Sequence, residues 1–521
     1  MDQLTLLLAL FAATVLLAPL AERFTVPYPV LLLVLGLLVA LVPGLPTPSI
    51  SPDLILPLVL PPLLFAAARR TSWREFLDNR RAIGLLAVAL VGVTAFSVGV
   101  ALQALVPGLP VIAALALGAA VAPPDPVAAT AVARELRLPR RLRTTLEGEG
   151  LSNDATSLVL YEVAVAGAVT GAFSPWRAAG SLALAVVVGV LIGLLLAMAF
   201  RWLLGKLPAH PAGSALVLLM PFAAYGVADA AHGSGVLAVV TLALALSRYG
   251  DSESAQTRLV SGTAWDIIEL LVTGAAFAFV GLELRAVADA VPGQLGELIG
   301  QALLITALVI VVRFAWIFPI ASIDQRLRAR KDSDAEPVGW RERTIASWAG
   351  MRGVVTLAAV LALPPGFPER DRLIFIAFVV ITVTLLLQGL TLPLLVRRLG
   401  VHASPGQERD MEHALTQRAR EAGHDKLEEL RTQGHVDERL IDEAHDNAEK
   451  VWHELGFDQH DGDEDQRTAN VEHTLRAADL EAEVLTAARE AVVAARAEHG
   501  TDPTIVDGLL RKLDGHGAPP G

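Results

Sequence analysis

Apolar residues along this chain gather into long runs separated by short polar breaks, from Leu4 to about Val396. Thirteen such runs span 4–21, 27–43, 53–68, 82–105, 110–134, 143–171, 177–204, 213–232, 234–248, 263–281, 297–320, 341–364 and 373–396. Most are long enough to cross a hydrocarbon core of about 30 Å as helices. The pattern predicts an all-α polytopic membrane protein of about 13 transmembrane helices over residues 1–400. After Gly400 the runs stop, and residues 401–521 read as an acidic, helical cytoplasmic tail.

Charge sharpens both halves of this division. With Met1 outside, the inside loops hold 23 Lys and Arg residues and the outside loops 4. That asymmetry fixes an outside N-terminus and a cytoplasmic tail, and it requires an odd number of spans. The first run carries Asp2 rather than a basic flank and lacks a small-residue cleavage site before Glu22, so it reads as a retained helix. The tail has 28 acidic and 13 basic residues, a net of −15 against −12 for the whole chain, which leaves +3 for the membrane part. Its acidity argues against nucleic acid as a partner. No cysteine is present, which excludes disulfides and thiolate metal ligands.

Ten of the 12 histidines lie in the tail, and His402, His413, His424 and His435 recur every eleven residues. That spacing suits one helical stripe and hence a pH-sensing face. Gly423 and Gly434 read as helix ends, which favours ordinary surface histidines instead. Residues 471–498 have helical spacing, and Asp458 to Asp465 read as a solvated acidic loop.

Candidate chemistry comes from charges that interrupt the apolar runs. A carboxylate at the bilayer centre costs roughly 3 kcal/mol, and such groups mark ion or proton paths. In Val121-Ala-Pro-Pro-Asp-Pro, Asp125 is hemmed by Pro123, Pro124 and Pro126. Proline removes a backbone donor and disfavours helix in the residue before it. The spacing therefore predicts an unwound helix whose freed carbonyls and half-helix ends serve as ligands, with a proline kink as the alternative. In the next run, Gly150 and Asp154 share one face and Glu149 and Asn153 share another. An Asp154 oxygen would hold either a small hard cation or a proton, and mutually exclusive occupancy is all that exchange requires. Glu149 is expected to pair with Arg352, the glycine-flanked charge in Trp348-Ala-Gly-Met-Arg-Gly, as intramembrane glue. Arg313 is also deep and needs a partner that the sequence does not name. Glu162 and Glu269 would line the path or face another helix, and Asp229 lies near a helix end.

These motifs resemble the monovalent cation:proton antiporter-1 family, which includes bacterial Na⁺/H⁺ antiporters and sodium/proton exchangers. The likeness rests on Ala122-Pro-Pro-Asp-Pro-Val-Ala-Ala, Leu146-Glu-Gly-Glu-Gly-Leu-Ser-Asn-Asp-Ala-Thr-Ser-Leu-Val-Leu-Tyr, Phe279-Val-Gly-Leu-Glu-Leu and Trp348-Ala-Gly-Met-Arg-Gly-Val-Val-Thr-Leu-Ala. The resemblance covers most of residues 1–400 and leaves the tail aside. It implies a homodimer of inverted-repeat bundles with two broken, crossing helices. It makes Asp154 the residue that binds the transported Na⁺ and the proton, with Asn153 beside it, and Asp125 the acid of the unwound helix. It also implies a Glu149–Arg352 ion pair. Two positions depart from the family pattern: Gly150 replaces a serine and Pro124 a hydroxyl residue, so water or the Pro124 carbonyl would have to substitute.

The expectation is a secondary active antiporter of the plasma membrane, exchanging Na⁺, or K⁺ or Li⁺, for H⁺ by alternating access and using no cofactor. A passive cation channel is the alternative. An intramembrane enzyme is disfavoured, because Gly233-Ser-Gly does not complete a Gly-x-Ser-Gly motif and His453-Glu454 lacks a second histidine.

Overall fold

The computed structural model describes residues 3–24, 26–43, 52–69, 71, 76–77, 79–125, 136, 138–171, 175–207, 211–248, 255–293, 295–329, 339–402, 421–433, 439, 442 and 445. Among these, every regular element is helical. Helices form at or inside each of the thirteen apolar runs. They are α1 Gln3–Phe24, α2 Tyr28–Ala40, α3 Pro52–Arg69, α4 Arg80–Leu105, α5 Val111–Val121, α6 Arg140–Thr170, α7 Pro175–Leu204 and α8 Pro211–Ala230. They continue with α9 Gly235–Arg248, α10 Ala255–Leu282, α11 Leu284–Asp289, α12 Leu295–Ala329, α13 Trp340–Trp348, α14 Val354–Leu361 and α15 Arg370–Leu399. Among the described residues, six helical stretches are long and apolar enough to cross a membrane: 80–105, 179–204, 211–230, 260–289, 295–322 and 370–399.

Two runs that are continuous in the sequence are broken in space. The run 110–134 is helical only to Val121; residues 122–125 are irregular, and Pro126 lies outside the described residues. The run 341–364 splits into α13 and α14 around an irregular stretch, 349–353. Prolines explain the first break. In the second, glycines at 350 and 353 leave room for charged side chains that a Cβ would strike.

The largest buried cluster runs through α4, α5, α6, α10, α12, α14 and α15, including Val98, Leu117, Phe277, Ile305, Leu357 and Ile381. A second cluster joins α3, α8 and α9 through Leu64, Met220 and Leu242. Small residues let backbones approach where large ones would not. Gly36 of α2 and Gly281 of α10 face each other so closely that an added Cβ would lie 2.2 Å from the Ala278 carbonyl or 2.5 Å from that of Leu33. The Phe279-Val-Gly-Leu stretch is therefore a packing seam. Large apolar side chains on α7, such as Leu191, Leu195, Met198 and Trp202, are exposed, as expected of a surface that meets lipid or another chain.

The chain divides into two compact units, 1–403 and 404–521. Little of the second is described. A helix covers residues 421–433 and runs through Gly423, so that glycine does not end a helix. The His424 and His445 rings lie 5.9 Å apart. His413, His435, the acidic loop 458–465 and the segment 471–498 lie outside the described residues.

Candidate functional site

The α6 helix carries the site on adjacent faces. Its 31 residues include Glu147, Glu149, Asn153 and Asp154, all buried. Every fourth residue from Glu149 makes a polar contact to a different element. Asn153 donates through Nδ2 to the Pro124 carbonyl at 3.0 Å. Ser157 Oγ donates to the Ala119 carbonyl of α5 at 2.8 Å, and Tyr161 Oη to the Ala359 carbonyl of α14 at 2.5 Å. A row of polar groups on one face of a buried helix binds it along its length to both broken segments. Ser157 and Tyr161 escaped sequence reading, although they continue from Asn153 in steps of four that are visible there.

The two breaks meet and neutralise each other's helix ends. The Asp125 N–H donates to the Met351 carbonyl at 2.6 Å. Arg352 donates from Nε to the Val121 carbonyl at 2.9 Å and from Nη2 to the Ala122 carbonyl at 3.1 Å, with a third contact from Nη1 to the Gly350 carbonyl. A guanidinium thus covers the carbonyl end of α5, where the helix dipole is negative. Reciprocally, the Asp125 carboxylate lies against Gly353, the residue that precedes α14, where the dipole is positive. The fit leaves no room, since a Cβ on Gly353 would fall 1.4 Å from Asp125 Oδ2. Thr384 of α15 accepts the Arg352 backbone N–H at 3.1 Å, a contact that no local sequence signal announced.

The expected Glu149–Arg352 pair is not what forms. Glu149 is held by Arg313 of α12 in a two-pronged contact, with Nη2 donating to Oε2 at 2.8 Å and Nη1 donating to Oε1. Arg313 also donates to the Ala346 carbonyl of α13, from Nε at 3.1 Å and Nη2 at 3.0 Å. Both partners are almost fully buried. The physical reason is competition: Arg352 sits at a helix break where bare carbonyls take its donors, whereas Arg313 lies mid-helix and has the carboxylate as its acceptor. Gly350 lies between the two guanidiniums, and a Cβ there would come within 2.7 Å of Arg313 and 3.0 Å of Arg352.

Asp154 is treated differently. It is 1 % exposed, and its Oδ2 has no hydrogen-bond partner among the described residues. Asn153, fully buried, likewise keeps Oδ1 unpartnered while its amide nitrogen is anchored. Buried polar oxygens are nearly always satisfied, so two on consecutive residues call for an explanation. Asp125 lies within Coulombic range of Asp154. Hard oxygen donors of this kind suit a small cation, which would occupy what no N–H fills. The Pro124 carbonyl stands at the same place, already accepting from Asn153, with a second lone pair in hand.

The remaining carboxylates do not join this group. Glu162 is exposed on α6 and lies within Coulombic range of Asp229 and Tyr225 of α8. Glu269 is half-buried on α10 and has a partner. Asp229 is exposed near the end of α8.

Comparison with known proteins identifies the family. The family described as sodium/hydrogen exchanger, transmembrane, matches residues 9–398. An uncharacterized Na⁺/H⁺ exchanger of Mycobacterium tuberculosis is 36% identical over 430 residues, covering 80% of this chain and 79% of the relative. One of Escherichia coli is 32% identical over 491 residues, covering 88% and 89%. In fold, the chain is similar to the sodium proton antiporter MjNhaP1 of Methanocaldococcus jannaschii, with a TM-score of 0.57 and 18% identity over 76% of this chain and 98% of that one. The chain belongs to the sodium/hydrogen exchanger family.

Proposed function

We propose that this protein is a secondary active antiporter that exchanges a monovalent cation for H⁺ across the plasma membrane by alternating access. The observation that carries the reading is the pair of buried, unpartnered oxygens, Asp154 Oδ2 and Asn153 Oδ1, beside the meeting point of two broken helices. Asp154 carries either the proton or the cation. Asn153, Asp125 and the Pro124 carbonyl complete the surroundings of the cation, with water in place of the hydroxyl that Gly150 lacks.

Charge counting supports one-for-one exchange. At the two helix breaks and on the facing part of α6, three buried carboxylates, Asp125, Glu149 and Asp154, are set against two buried guanidiniums, Arg313 and Arg352. Glu147, as buried as Asp125, has its own cation in Arg143 and stays out of the count. With all five ionised the group carries one negative charge, which a single Na⁺ or a single proton cancels equally. Both loaded forms are then neutral and move through a low-dielectric barrier at similar cost, whereas the empty form is charged and crosses poorly. That difference couples the two ions. A channel needs a continuous path for one ion rather than a site that excludes one when it holds the other.

The same reading takes thirteen spans, inverted repeats, an outside N-terminus, a homodimer and Na⁺ as the principal cation. The loop charges support the orientation, and the exposed apolar face of α7 leaves a surface for a second copy. Relatives in Bacillus subtilis and Aphanothece halophytica are named as a sodium, potassium, lithium and rubidium/H⁺ antiporter and as a Na⁺/H⁺ antiporter, so K⁺ and Li⁺ belong in any assay.

The test is purified protein in proteoliposomes, with proton movement read by dequenching under imposed Na⁺, K⁺ and Li⁺ gradients. Saturable, cation-driven proton flux that is indifferent to membrane potential is expected. Flux of the cation down its own gradient without protons would reject the antiport reading.

A further inference from the structure

A cavity of about 100 Å³ lies at the arginine-rich end of the bundle, apart from the ion site. Four helices enclose it: α4 through Ala82, Leu86 and the preceding Asn79, and α6 through Arg141, Leu142 and Thr145, together with α12 through Ile317, Ile320 and Ala321 and α13 through Glu342, Arg343 and Ala346. Its chemistry is two-faced. Leu86, Leu142, Ile317 and Ile320 make an apolar floor, while Arg141, Arg343, Glu342, Asn79 and Thr145 make a polar mouth with one excess positive charge. Arg343 Nη1 also donates to Ser322 Oγ at 2.7 Å; a guanidinium has further donors to offer.

Three further features fit an anionic, amphiphilic occupant. The mouth is formed from the first turns of α4, α6 and α13, and none of these helices has a side-chain cap on its N-terminal N–H groups. Their positive dipole ends add to the two guanidiniums. Within α4, residues Leu85–Leu90 form a π-helical stretch, a wide turn common at functional sites, and Leu86 lies in it. Two residues of the floor, Leu86 and Ile317, form with Leu90 a small cluster of their own, while Leu142 joins the floor to the largest core.

We propose that this cavity binds the headgroup of an anionic phospholipid and that its occupant tunes exchange. The inference rests on the exchanger reading and on the orientation given above, which makes this end cytoplasmic. Basic pockets between helices at that face suit lipid phosphates. The phosphate is held by Arg141 and Arg343, and an acyl chain follows the leucine and isoleucine floor. Glu342 accepts hydrogen bonds from headgroup hydroxyls, which selects a hydroxylated headgroup such as that of phosphatidylglycerol. The route to the ion site is short. Thr145 is one turn before Glu149, Ile317 is one turn after Arg313, and the Ala346 carbonyl accepts from Arg313 directly. An occupant that braces α13 therefore braces the buried ion pair.

Two readouts on the full-length protein test the proposal. The first is lipid retention by native mass spectrometry with phosphatidylglycerol, phosphatidylcholine and inorganic phosphate as separate probes. The wild type is expected to retain phosphatidylglycerol over phosphatidylcholine, with retention falling about fivefold for each of Arg141→Gln and Arg343→Gln. Ala321→Leu, which fills the floor and leaves the arginines in place, should also reduce retention and serves if the arginine variants do not fold. Equal retention by the wild type and by the variants that fold would overturn the site, and retention of free phosphate equal to that of the lipid would make it a bare anion site. The second readout is Na⁺-driven proton flux in phosphatidylcholine vesicles with and without phosphatidylglycerol. Phosphatidylglycerol should accelerate the wild type and leave Ala321→Leu at its phosphatidylcholine rate; equal acceleration of both, or of neither, overturns the tuning. A wild type that retains the lipid but exchanges no cation would refute the antiport reading and leave the lipid site standing.

Discussion

Glu149 and Asp154 lie five residues apart on one helix, and both are 1 % exposed, yet the fold treats them oppositely. Glu149 receives both prongs of Arg313, and Arg313 in turn receives a backbone acceptor. Asp154 is left with an oxygen that nothing among the described residues satisfies. A buried carboxylate with a full set of donors is a structural element; one left incomplete is poised to take a ligand from outside. Burial alone does not identify a transport site, and the state of the surrounding donors does.

The contrast can be broken most sharply at Asp154. Replacing it by Asn should abolish cation-driven proton flux in vesicles. The folded protein should melt no lower than wild type, since a buried charge without a partner is removed. A marked fall in melting temperature would mean that Asp154 carries structure after all. At Glu149 the order reverses. Glu149→Ala strands Arg313 and should cost about 3–5 kcal/mol of stability, seen as loss of folded yield or a large drop in thermal midpoint. The double change Glu149→Leu with Arg313→Met should recover most of that loss, because a well-packed apolar pair replaces a buried ion pair at little cost. If the double variant is no better than the single, the pair does more than hold α6 to α12.

Smaller effects sharpen the same picture. Ser157→Ala removes one contact between α6 and the Ala119 carbonyl, which keeps the N–H of Ala122 as a donor. A loss of about 1 kcal/mol in stability is expected, with exchange altered only modestly. Truncation after Gly400 should leave the cation preference as it was, because every residue of the ion site lies before it. Comparing the pH–rate profiles of truncated and full-length protein tests the histidine stripe, and identical profiles would remove it from consideration.

Much of this was legible in the sequence, and the reasons are local. Apolar runs of bilayer length declare themselves by composition, as the helices at all thirteen show. Pro123 and Pro124 broke the helix after Val121 because proline acts on its immediate neighbours. The peculiarity of Asp154 was visible as a charge where charge is expensive. The second break was only hinted at: Gly350 and Gly353 flank Arg352, but their purpose appears when Arg313 and Asp125 are found against them.

What the linear chain determined by itself was the inventory: where the membrane segments lie, which charges are stranded within them, and where the backbone must come apart. The tertiary structure alone decided which stranded charges neutralise one another. The sequence pointed to Arg352 for Glu149 and named no partner for Arg313, although each is a guanidinium inside an apolar run. Packing then brought the exposed carbonyls of α5 to Arg352 and left Arg313 for the carboxylate. Pairing energies depend on distance through space, and separation along a chain constrains that distance only within a few helical turns.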